Sequence, residues 1–257
     1  MTGAAGRPVR NGILVCLIWI VFYSTPVTAD VARIAVASNF KPTLEKLLAA
    51  FSVGTTHQFK ISSGSTGTLY AQITNGAPFD IFLAADRASP ALLEKSGVIE
   101  PGSRWTYAIG QLALWVPGAG SQVDGLFLNG FDGTLAIANP EIAPYGIAAM
   151  GLIDRFDNQH FRVVKGNNVA QAFQFVFTRN AAAGLVALSQ VRNSHIDSRF
   201  FWIVSQNYYD PIEQQLVILK PTDAGREFVN FLATDKAGSI LLNDGYARPG
   251  HGRDSRL

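Results

Sequence analysis

The chain has 257 residues, with 21 lysines and arginines, 19 aspartates and glutamates, four histidines and one cysteine. Arg7 and Arg10 carry the whole excess of positive charge, so the body beyond residue 29 is neutral and lacks the clustered cations with which nucleic-acid binders meet phosphates. The one cysteine, Cys16, lies near the start, which leaves that body without a disulfide, a thiol nucleophile or a cysteine metal site.

Arg7 and Arg10, the apolar run 12–22 and the small residues Val27-Thr28-Ala29 before Asp30 predict a signal peptide over residues 1–29, and hence export to the periplasm. The run is shorter than the roughly 20 apolar residues of a membrane-spanning helix, and no later segment approaches that length. A lipid anchor at Cys16 fits poorly, because Val15 stands where a small residue is expected. The chain from Asp30 onward suits one large α/β unit or two lobes of about 100 residues each.

Along that body, residues 33–37 form a short β-branched run. Ser38-Asn39 then gives a polar turn, and Leu44, Leu47, Leu48 and Phe51 follow at helical spacing. The strand, turn and helix recur at residues 58–61, at the small polar loop 62–67 and at Leu69, Tyr70 and Ile73, with Asn75-Gly76 as a stop. Apolar runs at 81–84, 112–116, 135–138 and 216–219 are of the kind that fills buried parallel strands, and helical segments alternate with them, which predicts an α/β doubly wound architecture. Val169, Ala172, Phe173, Val176 and Phe177 make the clearest helical stripe, directly after Gly166-Asn167-Asn168. Residues 248–257 are rich in glycine and charge, without an apolar period, and are expected to be disordered.

Four segments share one arrangement, a small or polar turn that opens a helix: Ser38-Asn39, residues 63–67, residues 139–146 (NPEIAPYG) and residues 166–169. The first N–H groups of a helix have no partner inside it, and its dipole adds positive character there, so such ends attract anions. None of the four contains Lys, Arg or His, so a site built from them would hold an anion with neutral donors alone. A hydrogen bond to a charged group contributes about 1.5–3 kcal/mol and micromolar binding needs about 8 kcal/mol, so about five converging donors suffice. Each segment by itself reads more readily as an ordinary helix cap.

Catalytic patterns are weaker. The Ser65 segment lacks the Gly-x-Ser-x-Gly spacing of a nucleophile elbow, and no glycine-rich nucleotide fingerprint is present, so no cofactor is expected. His57, His160, His195 and His251 have no neighbouring carboxylate or histidine at metal-ligand or general-base spacing and are expected at the surface. Asp80 and Asp86 flank the run 81–85 and are expected to bound a buried strand, with Asp86 capping the next helix.

Taken together, VASNF (36–40), SSGSTGTLYAQI (62–73), NGAPFDIFLAAD (75–86), ANPEIAPYG (138–146) and GNNVAQA (166–172) resemble the periplasmic molybdate-binding proteins of ABC transporters over nearly all of the chain beyond the leader. The resemblance implies the two-lobed periplasmic binding-protein fold of type II, each lobe a doubly wound sheet flanked by helices, with the ligand cleft between the lobes. It implies capture of molybdate or tungstate without catalysis, delivery to a membrane permease, and no cofactor, the molybdenum being held only as its oxyanion. The ligand residues it implies are Ser38 and Asn39, then Ser65 or Thr66, from the first lobe, and the backbone N–H groups of Tyr145 and Val169 from the second. Where some relatives add a tyrosine hydroxyl, this chain carries Ala187, which is not assigned. The lobes are expected at 30–109 with 213–257 and at 110–212, in a monomer. A fully deprotonated tetrahedral dianion suits such a site, whereas a partly protonated phosphate would bury an O–H without an acceptor, at a cost of about 1–3 kcal/mol. Sulfate has the same charge and shape as molybdate and is the nearest rival ligand; a secreted hydrolase using Ser65 is the rival from another class.

Overall fold

The computed structural model describes residues 1–3, 31–156 and 160–249; residues 4–29 of the expected signal peptide and residues 250–257 of the tail lie outside the described residues. The chain runs β1 (Val31–Ala37), α1 (Lys41–Phe51), β2 (Gln58–Gly64), α2 (Thr66–Thr74), β3 (Ile81–Leu83), α3 (Ala88–Lys95) and β4 (Trp105–Gly110). It continues as β5 (Leu112–Trp115), β6 (Thr134–Ala138), α4 (Pro144–Ile153), β7 (Arg162–Gly166), α5 (Val169–Phe177), β8 (Ala183–Ala187), α6 (Leu188–Asn193) and β9 (Phe201–Ile203). It ends with β10 (Ile212–Ile218), α7 (Asp223–Leu232) and α8 (Asp235–Asn243). Among the described residues no helix is long and apolar enough to cross a membrane.

Two five-stranded sheets result, ordered β2-β1-β3-β10-β4 and β7-β6-β8-β5-β9. The sheet changes between Gly110 and Leu112, and again between β9 and β10. Helices flank both sheets, giving the α/β fold. Ile34, Leu44, Leu47, Leu83 and Phe228 share one buried cluster of the first sheet, and Ala35, Leu69, Phe82 and Leu93 another. On the second sheet Trp115 stacks on Phe173 of α5 at 4.6 Å between ring centres, with Ile137, Ala172 and Val176 in the same core. Each fully buried leucine, isoleucine, valine or phenylalanine among them stabilises the fold by about 1.5–3 kcal/mol.

Two expected parallel strands are antiparallel. Residues 112–115 of the first run form β5, which runs antiparallel to β8 and β9, and residues 216–218 of the other fall on β10, antiparallel to β3 and β4. Both strands stand where the chain enters one sheet from the other, so neither is reached by a helical crossover within its own sheet. Their apolar runs record burial, which is complete along β5 and nearly so along β10, and not strand direction. A smaller departure is that β2 continues to Gly64, well into the expected loop, because residues 62–64 pair in register with 35–37 of β1.

Register aligns the ends that matter. Ala37 pairs with Gly64 and Val36 with Leu83, so the turns after β1, β2 and β3 open at one edge of the first sheet. Ala138 pairs with Gly166, which puts Asn139 and Asn167 side by side at an edge of the second. Open α/β sheets bind ligands at such carboxyl ends of parallel strands.

Candidate functional site

Ser38 leaves β1 with its N–H donated to the carbonyl of Gly64 at 2.9 Å. Its hydroxyl oxygen accepts the N–H of Ala170, in the first turn of α5 on the other sheet, at 3.4 Å. The hydroxyl proton is then the donor that Ser38 can turn on a ligand. Asn39, next in the turn, is committed differently. Its side-chain amide donates to Gln214 Oε1 at 3.1 Å and to the Tyr246 hydroxyl at 3.2 Å, and its carbonyl accepts from Ser189 Oγ and Tyr246. Its remaining donor toward an anion is the backbone N–H.

The turn before α2 has a similar division of labour. Ser65 caps the helix: its Oγ accepts the Thr68 N–H at 3.3 Å and donates to Thr68 Oγ1 at 2.7 Å. Thr66 Oγ1 accepts the N–H of Ala85 at 3.0 Å, so its own hydroxyl proton has no partner among the described residues. One position on, the Gly67 N–H donates to the carbonyl of Ile142, in the loop between β6 and α4, at 3.0 Å.

On that second side, local sequence decides which N–H groups are free. Pro144 opens α4 without an N–H, and the N–H groups of Gly146 and Ile147 both return to Ala143 O, so Tyr145 supplies the unpaired N–H of the first turn. At α5, Asn168 caps through its side chain to the Gln171 N–H at 3.0 Å and accepts the Ala172 N–H on its carbonyl, which leaves the N–H groups of Val169 and Ala170 pointing out of the helix.

Ser38, Asn39, Ser65, Thr66, Tyr145 and Val169 are all buried. Ser38 meets the start of α5 directly, and the α2 turn meets the loop before α4 through Gly67 and Ile142. Asn39 reaches Tyr145 through Gln214, whose Nε2 donates to the Tyr145 hydroxyl at 3.3 Å. The two rows of helix openings therefore face each other in a closed arrangement of the sheets. Burial pushes the hydroxyls of Tyr107, Tyr145 and Tyr246 well above their ordinary pKa, so they stay neutral hydrogen-bonding groups.

Sequence reasoning missed the N–H of Ala170, the Gly67–Ile142 contact and Gln214. Ala170 carries no signal beyond its place after a cap. Gln214 did carry one, a polar pair (Gln214-Gln215) inside the run 212–218, where a buried amide must find partners.

The other candidates are structural. Asp80 is buried and accepts the Arg33 N–H at 2.6 Å. Asp86 accepts the N–H of Ser89 at 2.9 Å at the start of α3, a capping role. His160 and His195 are exposed, and His251 lies outside the described residues. His57 departs from the surface expectation: it is only partly exposed and its Nε2 lies 3.3 Å from Glu227 Oε2, a partner 170 positions away that spacing cannot reveal.

Burial raises the Asp86 pKa, against the opposing effect of its bonds to Ser89. A carboxyl raised on folding destabilises the fold above its folded pKa and ceases to do so below the ordinary value of 3.8. Asp86→Asn, still able to cap, is therefore expected to raise the melting temperature at pH 7, with the gain vanishing as pH falls below that value. Thermal melts of both proteins across pH 3–8 check it; a gain that persisted in acid would contradict the cause.

Residues 32–247 match the family model described as bacterial extracellular solute-binding protein. The chain is 41% identical over 224 residues to the molybdate-binding protein ModA of Azotobacter vinelandii, covering 83% of this chain and 88% of that one. It is 36% identical over 228 residues to the molybdate-binding protein ModA of Rhodobacter capsulatus, covering 86% and 90%. The solved structure of the Azotobacter vinelandii periplasmic molybdate-binding protein superimposes with a TM-score of 0.74 at 39% identity, covering 85% of this chain and 99% of the other.

Proposed function

The chain belongs to the bacterial extracellular solute-binding proteins, in the group of the molybdate-binding proteins, and from that membership we propose that it captures molybdate or tungstate in the periplasm and hands it to the permease of an ABC transporter. The observation that carries this reading is the Ala170 N–H resting on Ser38 Oγ, which brings a helix start of one sheet onto the anion turn of the other.

Two lobes, 30–109 with 213–257 and 110–212, close on the anion. The first lobe offers the Ser38 hydroxyl, the Asn39 N–H, and Ser65 or Thr66; the second offers the N–H groups of Tyr145 and Val169. Every donor is neutral, so the dianion is held by hydrogen bonds and helix dipoles in a site from which water is displaced. Such donors are fixed before the ligand arrives, and an anion bridging both lobes stabilises the closed form over the open one.

This is binding without turnover. Ser65 is engaged as a helix cap and no histidine among the described residues contacts it, which disfavours the hydrolase reading. Donor chemistry alone treats sulfate like molybdate, and the kinship to molybdate-binding proteins favours the larger anion. Calorimetric titration of ligand-stripped protein 30–257 with molybdate, tungstate, sulfate and phosphate tests the proposal. Tight one-to-one binding of the first two is expected; sulfate binding as tight as molybdate would overturn the assignment.

Ser38→Ala removes one charge-assisted donor while leaving the turn's backbone bond to Gly64 in place. Molybdate affinity is expected to fall about tenfold or more with the fold intact. Unchanged affinity in the same calorimeter would remove Ser38 from the site.

A further inference from the structure

We infer that Gln214 is a positioning residue that ties the anion turn of one lobe to the anion helix of the other. Gln214 is fully buried in β10, beside an irregularity in its pairing with β4. A buried amide destabilises unless its bonds are made, and here its two ends are divided between the lobes. Oε1 accepts from Asn39 Nδ2 at 3.1 Å and from the Tyr107 hydroxyl at 3.0 Å, both in the first lobe, while Nε2 donates to the Tyr145 hydroxyl in the second. Asn39 and Tyr145 each present a backbone N–H to the cleft and a side chain to the same carboxamide. One amide group therefore registers two ligand donors that are 106 positions apart in the chain.

The surroundings are cut to this contact. Gly110, at the crossing between the sheets, lies so close that a Cβ there would collide with the Tyr145 hydroxyl and come within 2.8 Å of Gln214 Nε2. Any side chain at that position would break the link, which gives the glycine a role that its backbone conformation does not require.

The inference rests on the reading of the cleft as an oxyanion site, and the test separates the two. Tyr145→Phe, Gln214→Leu and the double variant are titrated with molybdate, and X-ray scattering measures the compaction of each when saturated. Each single variant is expected to bind about tenfold more weakly and to compact less than the parent, and the double variant to lose little more than either, because both cut one link. A role confined to fold stability would lower melting temperatures without changing the saturated dimensions. Tyr145→Phe removes only one buried hydroxyl and is expected to fold, so it decides alone if Gln214→Leu does not: parental affinity and compaction overturn the inference. A double loss equal to the product of the single losses also overturns it. A parent protein that binds no molybdate overturns the site reading, and this inference with it.

Discussion

Gly67→Val is expected to weaken molybdate binding at least a hundredfold while leaving the ligand-free protein about as stable as the parent. Gly67 sits in the first turn of α2, and a Cβ built there lies 3.1 Å from the carbonyl oxygen and 3.2 Å from the Cα of Ile142, which are main-chain atoms of the opposite lobe. Main chain cannot swing aside as a flexible side chain can. Gly67→Ala asks for a shift of a few tenths of an ångström and is expected to weaken binding modestly; the two further methyl carbons of valine leave the closed form no room. Loss of the Gly67 N–H bond to Ile142 O follows from the same displacement. An apparent affinity scales with the population of the binding-competent state, so raising the closed state by about 3 kcal/mol reduces affinity roughly a hundredfold. The contact runs between the two lobes and is released when they part, and within a helix glycine is already the least favoured residue after proline, so the ligand-free protein is expected to lose little. Calorimetry with molybdate and thermal melts without it check both halves. Full affinity in Gly67→Val would mean that the ligand-bound lobes sit further apart than the arrangement described here.

What could be read in the sequence follows from the range of the interactions involved. Helix openings are local: Ser65 capping α2 and Asn168 capping α5 reach only three residues ahead, so turn chemistry announces them. The alternation of strands and helices is also local and gave the α/β architecture. The directions of β5 and β10 could not be read, because a strand buried on both faces has the same apolar run whichever way it points. Nor could the use made of Asn39 be read. The motif leaves open whether the amide or the backbone N–H faces the ligand; the amide is held by Gln214 and Tyr246, 175 and 207 positions away, and only the backbone N–H is left. The His57–Glu227 contact escaped for the same reason. In this chain the identity of a donor is local information and its orientation is tertiary.

Val169→Pro tests the orientation of a backbone donor directly, and is expected to weaken molybdate binding by about ten- to a hundredfold with α5 intact. Val169 is the first residue of α5, the position where proline's fixed φ suits a helix and its missing N–H breaks no helical bond. The preceding residue must be extended for a proline to follow, and Asn168 is, with φ −157° and ψ 172°. Its cap to Gln171 and the Ala170 N–H on Ser38 Oγ both survive the change. The substitution therefore deletes one N–H and exchanges one buried apolar side chain for another of similar size. A hydrogen bond to a charged group contributes about 1.5–3 kcal/mol, which sets the expected range. Val169→Ala keeps the N–H while trimming the side chain, and so measures the apolar contribution separately. If Val169→Pro loses affinity well beyond Val169→Ala at an unchanged melting temperature, the anion is held by the N-terminus of α5. If the two variants bind alike, the Val169 N–H does not reach the ligand, and the second lobe holds it through α4 instead.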